Sequence, residues 1–146
     1  MARKTKPTKI HLIGDGRTEE IVAAQVISPG MLVAQNEDAL GIPHASAGDP
    51  AEKLFATEDA LQGRGIDINY AVDDRVNLVV AETGDVVYAW LADGESVTPA
   101  DFLTSNGDGA LKKASGGDYL IGVPLETLDL SESSNVAAQR IRVRCL

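Results

Sequence analysis

The sequence is poor in cysteine, histidine and aromatic residues, and each shortage removes a class of protein. A single cysteine, Cys145, in 146 residues excludes a disulfide scaffold and any multi-cysteine zinc site. The two histidines, His11 and His44, lie far apart and have no metal-ligand spacing. Only six aromatics are present, Phe55, Tyr70, Tyr88, Trp90, Phe102 and Tyr119, so a core must be built from Val, Ile, Leu and Ala. No apolar run approaches the ~18 residues of a membrane-spanning helix. No apolar stretch of about 7–15 residues follows the basic start, so no signal peptide is expected, and the plain reading is a soluble intracellular chain with no membrane association. At this length a single domain can bury roughly 68–70% of its unfolded surface, and it needs neither disulfide nor metal to fold.

What is present is charge, unevenly placed. The net charge is -9. Residues 1–17 contribute +4 through Arg3, Lys4, Lys6, Lys9 and Arg17 against Asp15, and Arg140, Arg142 and Arg144 contribute +3. Residues 18–139 hold five basic and 21 acidic side chains, a charge of -16. So acidic a body repels polyphosphate, and nucleic acid is not an expected partner. The basic segments suit either an acidic protein surface or a solvated terminal arm.

Turn chemistry divides the chain. Residues 1–9 (Arg3, Lys4, Thr5, Lys6, Pro7, Thr8 and Lys9 among them) read as a flexible basic arm, and residues 10–146 as one β-rich domain. Ile10-His11-Leu12-Ile13 reads as a first strand closed by Gly14-Asp15-Gly16. Ile21-Val22-Ala23-Ala24-Gln25-Val26-Ile27 is rich in β-branched residues and reads as a second. Pro29-Gly30 suits the centre of a type II turn before a strand over Met31-Leu32-Val33-Ala34-Gln35. Residues 36–52 read as a long loop, a length that points to a functional or mobile segment. For residues 50–62 a capped helix competes with a strand over Leu54-Phe55-Ala56-Thr57 followed by one helical turn, and the strand is preferred.

From Ile66 onward the pattern is β. Val76, Leu78 and Val80 alternate with Asn77 and Val79, and Val86, Tyr88 and Trp90 alternate with Val87, Ala89 and Leu91. Thr83-Gly84-Asp85 between them is a hairpin signal. Residues 101–104 and 110–114 read as strands joined by the glycine-rich turn Ser105-Asn106-Gly107-Asp108-Gly109, and Tyr119-Leu120-Ile121-Gly122-Val123 as another strand. Ile141, Val143 and Cys145 alternate with Arg140, Arg142 and Arg144, the pattern of a half-buried strand with a basic outer face. Many short strands with Gly or Pro turns predict a mainly β fold, a small barrel or sandwich.

No catalytic ensemble emerges. Neither histidine lies near a Gly-x-Ser-x-Gly turn, and Cys145 reads as a small buried strand residue rather than an accessible thiol. Asp73-Asp74, Asp93-x-Glu95 and Asn106-Gly107-Asp108-Gly109 lack the ligand ladder of a calcium loop and read as turns. Gly14-Asp15-Gly16-Arg17 is not a dinucleotide fingerprint. No enzyme activity, cofactor or metal is expected, and the work falls to the surface.

Several stretches carry a family resemblance. They are Gly65-Ile66-Asp67-Ile68-Asn69-Tyr70-Ala71-Val72-Asp73-Asp74-Arg75-Val76, Gly84-Asp85-Val86-Val87-Tyr88-Ala89-Trp90-Leu91-Ala92, Val97-Thr98-Pro99-Ala100-Asp101-Phe102-Leu103, Ser105-Asn106-Gly107-Asp108-Gly109 and Ala137-Ala138-Gln139-Arg140-Ile141-Arg142-Val143. In these the chain resembles the capsid decoration (cement, head-stabilising) proteins of tailed bacteriophages. The resemblance implies a small β-barrel or β-tulip-like domain with short helical turns. It implies a homotrimer made in the bacterial host cytoplasm that binds the outer surface of the expanded capsid at three-fold or quasi-three-fold positions. There it would clamp neighbouring copies of the major capsid protein. It assigns capsid binding to the arm, Arg3, Lys4, Thr5, Lys6, Pro7, Thr8, Lys9 and Ile10, and suggests trimer or capsid contacts for Arg140, Arg142 and Arg144. The competing reading is a small β-barrel binding module that grips a ligand or receptor with loop 36–52.

Overall fold

The structure, a computed structural model, describes residues 6–132 and 137–146. Its strands are β1 (His11–Ile13), β2 (Arg17–Val22), β3 (Val33–Gln35), β4 (Gly41–Pro43), β5 (Leu54–Ala56), β6 (Arg75–Val80), β7 (Val86–Leu91), β8 (Ser96–Val97), β9 (Leu103–Ser105), β10 (Leu111–Lys113), β11 (Gly122–Pro124), β12 (Leu128–Asp129) and β13 (Gln139–Cys145). The helical content among the described residues is one 3-10 turn, Ala60–Gln62, as the expected fold class requires.

Five strands close a barrel in the order β7-β10-β9-β11-β13, because β13 pairs back onto β7 along six residues. The β7–β10 contact is parallel and meets at Leu91 and Leu111, whereas the other barrel pairings are antiparallel. Closure removes the free edges that would otherwise invite uncontrolled pairing. Strand alternation fills the interior: Val87, Ala89 and Leu91 of β7 face Ile141, Val143 and Cys145 of β13, joined by Leu103, Leu111 and Ile121. Such small branched side chains suit a narrow lumen, which explains how the fold manages with so few aromatics.

A second cluster forms beside the barrel, from Ile21, Ala23, Ile27, Val33, Leu54, Ala56, Tyr70, Val76 and Leu78. The sheet β2-β6-β5 separates the two cores. Phe55 and Val79 point into the barrel cluster, while their neighbours Leu54, Ala56, Val76 and Leu78 point away from it into the second. The period-2 alternation thus buries both faces of one sheet.

Local chemistry settles several elements as expected. Ser28 C=O accepts the Met31 N–H at 3.0 Å across Pro29-Gly30, and Gly30 has φ +96°, the left-handed value that a type II turn demands of its third residue. The β9–β10 hairpin closes over the glycine-rich turn, and β5 followed by a 3-10 turn replaces the competing helix.

Other expectations are corrected. The second strand runs over Arg17–Val22 rather than 21–27, because backbone pairing with β6 holds it although Arg17, Thr18, Glu19 and Glu20 are all exposed. Residues 63–74 are turns with one bridge, Ile27 to Tyr70, and the next strand begins only at Arg75. Residues 82–85 do turn, with Asp85 N–H on Glu82 C=O at 3.0 Å, but β6 and β7 do not pair. They diverge into different sheets because each already has partners on both sides.

Nor is 36–52 a free loop. It contains β4, which forms a hairpin with β3. Its His44 is buried: Nδ1 lies 2.6 Å from Ser105 Oγ and Nε2 3.2 Å from the Pro50 carbonyl. A carbonyl only accepts, so Nε2 is the donor to Pro50.

Phe55, fully buried, is the largest side chain linking the dividing sheet to the barrel. Phe55→Ala is expected to cost about 3–5 kcal/mol in denaturant unfolding; a loss below about 1 kcal/mol would show that the two cores are not mechanically joined there.

Candidate functional site

A groove of 1030 Å³ runs beside the first half of β13, lined by residues 6–8, 65–68, 126–128 and 138–142 together with Tyr88 and Trp90. It brings together two basic segments from opposite ends of the sequence: Lys6, Pro7 and Thr8 of the arm share it with Arg140 and Arg142. Arg3, Lys4 and Thr5 lie outside the described residues. Lys9 is exposed, whereas Ile10 is fully buried, with its N–H 2.9 Å from Glu58 Oε1 and its carbonyl accepting the Tyr88 N–H. Ile10 is therefore a core residue of the folded domain, and a surface segment can extend only through Lys9.

The three arginines of β13 have three different environments, so the expected uniform basic face is corrected. Arg140 is nearly enclosed, with only 7% of its side chain exposed. Its guanidinium lies 4.2 Å over the Trp90 ring. Nε donates to Pro29 C=O at 3.1 Å, Nη1 to Asp67 Oδ1 at 3.1 Å, and Nη2 to the Ile66 carbonyl. Trp90 Nε1 donates to the same Pro29 carbonyl at 2.9 Å. A stacked guanidinium that donates to three separate acceptors is a geometry that lysine cannot reproduce. Arg142 pairs with Glu126 at 3.0 Å, and the other Glu126 oxygen accepts the Arg142 N–H at 2.9 Å, so one carboxylate caps a strand edge and neutralises its side chain. Arg144 is exposed, and no hydrogen bond or ion pair holds it among the described residues.

Sequence reasoning found the arginines but not their partners. Asp67 and Glu126 sit in turns, where periodicity is silent. Tyr88 forms part of the groove and is 8% exposed; burial and the nearby Glu126 raise its hydroxyl above the usual tyrosine value.

A second polar cluster lies at the other end of β1. Asp85 is 3% exposed, and its Oδ2 accepts the Gly16 N–H at 3.0 Å, the Glu82 N–H at 3.2 Å and faces His11 Nε2 at 3.2 Å. A Cβ at Gly14 or Gly16 would run into this carboxylate, so the Gly14-Asp15-Gly16 stretch is shaped by close approach rather than by phosphate. Among the described residues no three His, Cys, Asp or Glu side chains converge as metal ligands. Asp73, Gly94 and Gly107 occupy left-handed turn positions, in line with the turn readings of their segments.

Cys145 is 1% exposed within the barrel, as its alternation implied. Burial pushes its thiol up to about 12, with the Asp85 carboxylate adding to the rise and Lys53 opposing it. Burial likewise pushes Tyr70 up to about 12, reinforced by Asp59 and Glu58, while its hydroxyl donates to Thr57 C=O at 2.6 Å.

No family model matches the chain, and no curated protein matches it. Among solved structures it is similar to the head fiber gp8.5 N base in bacteriophage phi29, with a TM-score of 0.57 and 12% identity, over 89% of this chain and 93% of that one. At that identity the likeness is one of fold.

Between their ordinary values of 9.0 and 10.0 and about 12, Cys145 and Tyr70 stay neutral in the folded chain while they ionise in the unfolded one, so the stability they confer is complete below those ordinary values and is lost as pH climbs towards about 12. The thermal midpoint is expected to fall through that window. Cys145 should resist thiol reagents at pH 8 until denaturant is added; rapid labelling of the folded protein would contradict the buried thiol.

Proposed function

We propose that this protein is a structural component of a bacteriophage virion. In this reading it binds the outer surface of the expanded head as a homotrimer, at three-fold or quasi-three-fold positions, and stabilises it by clamping neighbouring copies of the major capsid protein. The observation that carries the proposal is the fold shared with a phage head-fiber base over about nine-tenths of both chains, together with the decoration-protein resemblance in the sequence. No catalytic chemistry, cofactor or nucleic acid enters it. The alternative of a ligand-gripping loop has less support, since residues 36–52 are pinned to β3 and, through His44, to β9.

The physics suits the task. A subunit with one weak arm contact gains avidity when three arms act together, by about 10²–10⁴ for well-matched linkage. Sites exposed only after shell expansion let binding stabilise the expanded state by linkage. The acidic body keeps unbound copies soluble, while Lys6 and Lys9 give the arm the opposite charge. An arm of Lys, Thr and Pro cannot pack alone but can pair its backbone with a partner strand.

The boundary at Ile10 dictates the test. Deleting residues 1–9 leaves the core intact and should leave the thermal midpoint unchanged, while co-sedimentation with expanded heads should weaken about 100-fold or more. A truncated protein that coats such heads as well as the full chain would refute the arm's role.

A further inference from the structure

We propose that the outer rim of β9, β11 and β13 is the surface by which one copy of this chain grips the next, head to tail. The proposal rests on the trimeric reading above and gives it a location. Four of the large exposed hydrophobics gather there: Phe102 (47% exposed), Leu120 and Leu146 (38% each) and Tyr119 (36%). The strands make them neighbours. Gly122 is in register with both Leu103 and Cys145, Ile121 N–H donates to Leu103 C=O at 2.8 Å, and Leu146 N–H donates to Ile121 C=O at 3.0 Å. Because both pairings are antiparallel, Phe102 lies level with Val123 and Arg144 on one side of this line, and Leu146 lies level with Ile121, next to Leu120, on the other. Tyr119 joins them through its carbonyl, which accepts the Thr104 hydroxyl at 2.7 Å.

In a chain with six aromatics the placement is telling. Phe55, Tyr70 and Tyr88 are buried and Trp90 is sealed under Arg140, so Phe102 and Tyr119 are the two left outside. Beside them stands Arg144, in register with Val123 of β11, exposed and with no partner among the described residues. Aromatic side chains and arginine on one patch are the composition of a binding hot spot.

Charge selects the occupant. Three acids in the segments around the rim are already engaged: Asp101 with Lys113, Asp118 with the Ser115 N–H, and Asp85 with its three donors. The Arg144 guanidinium, paired with none of them, can take a carboxylate from another copy. Residues 18–139 of a second copy offer 21 acidic side chains against five basic ones, so the remainder of that copy's surface complements this patch. A two-fold contact centred on the rim would instead set Arg144 against Arg144. The contact is thus heterologous, and three such contacts close a ring.

Light scattering on the full chain, with Arg144→Glu, Phe102→Asp and, as controls, Arg144→Lys and Arg75→Glu, tests this. The wild type and both controls should have about three times the 15.4 kDa chain mass. Arg144→Glu and Phe102→Asp should dissociate at concentrations about 30-fold higher than wild type or more, with unchanged circular dichroism. Variants that remain trimeric would overturn the rim assignment while leaving the trimer intact. A two-fold dimer would overturn the head-to-tail geometry, and a monomeric wild type at about 100 µM would overturn the trimer itself.

Discussion

The Asp85 carboxylate is the point on which the architecture turns. It accepts backbone N–H groups from Gly16, at the start of β2, and from Glu82, at the end of β6, and it faces His11 on β1. Its own backbone joins the end of β13, where Cys145 N–H donates to Asp85 C=O at 2.8 Å and Gly84 N–H donates to Cys145 C=O at 2.9 Å. The barrel, the strand that leads out of the arm and the sheet that divides the two cores all meet at this residue. An interior carboxylate is tolerated when donors reach it, and here the donors that converge on Oδ2 belong to the elements it organises. The divergence of β6 from β7 follows: the turn between them is held from within, so β6 is free to run into the second sheet.

At the opposite end of β13 a second clip does related work with a cation. Arg140 fastens the Pro29-Gly30 turn and residues 66–67 onto the outside of β7, stacked on Trp90. A Cβ at Gly30 would come within 2.8 Å of the Tyr88 carbonyl, so the turn sits against the strand only because that residue has no side chain. The positive charge of β13 is largely spent inside the molecule, on Asp67 and Glu126, and Arg144 is what it presents outward. The arm reaches the same groove through Lys6, Pro7 and Thr8. Lys6, Arg140 and Arg142, from opposite ends of the sequence, therefore share one neighbourhood in space, although the charge of the two arginines is already paired.

Much of this was legible in the residues, and the exceptions have a common cause. Pro29-Gly30 was readable because a left-handed third position is local chemistry. Ile141, Val143 and Cys145 were readable because one buried face imposes period 2. Arg17-Thr18-Glu19-Glu20 was not, because a strand exposed on every side chain leaves no pattern and exists through its backbone bonds to β6. Thr83-Gly84-Asp85 predicts a hairpin, but only the turn forms, since partner choice is decided by the buried carboxylate and by competing edges. Arg140 looked like an outward charge because its neutralising Asp67 is 73 residues away in an unpatterned turn. Ile10 reads from the residues as the start of the first strand, and only the family resemblance assigns it to the capsid-binding arm; its burial against Glu58 and Tyr88, both distant in sequence, corrects that assignment.

A small barrel with a closed hydrogen-bond ring, an acidic body and a short basic arm is well suited to a passive task performed many times over. In the proposed role each contact need be only modest, because copy number and linkage to the state of a shell would multiply it. The most direct test of the proposed function is binding to expanded and to unexpanded phage heads, measured side by side by co-sedimentation. The expected result is saturable binding to expanded heads with little to unexpanded ones. Absence of binding to both, or equal binding to both, would contradict the proposed role.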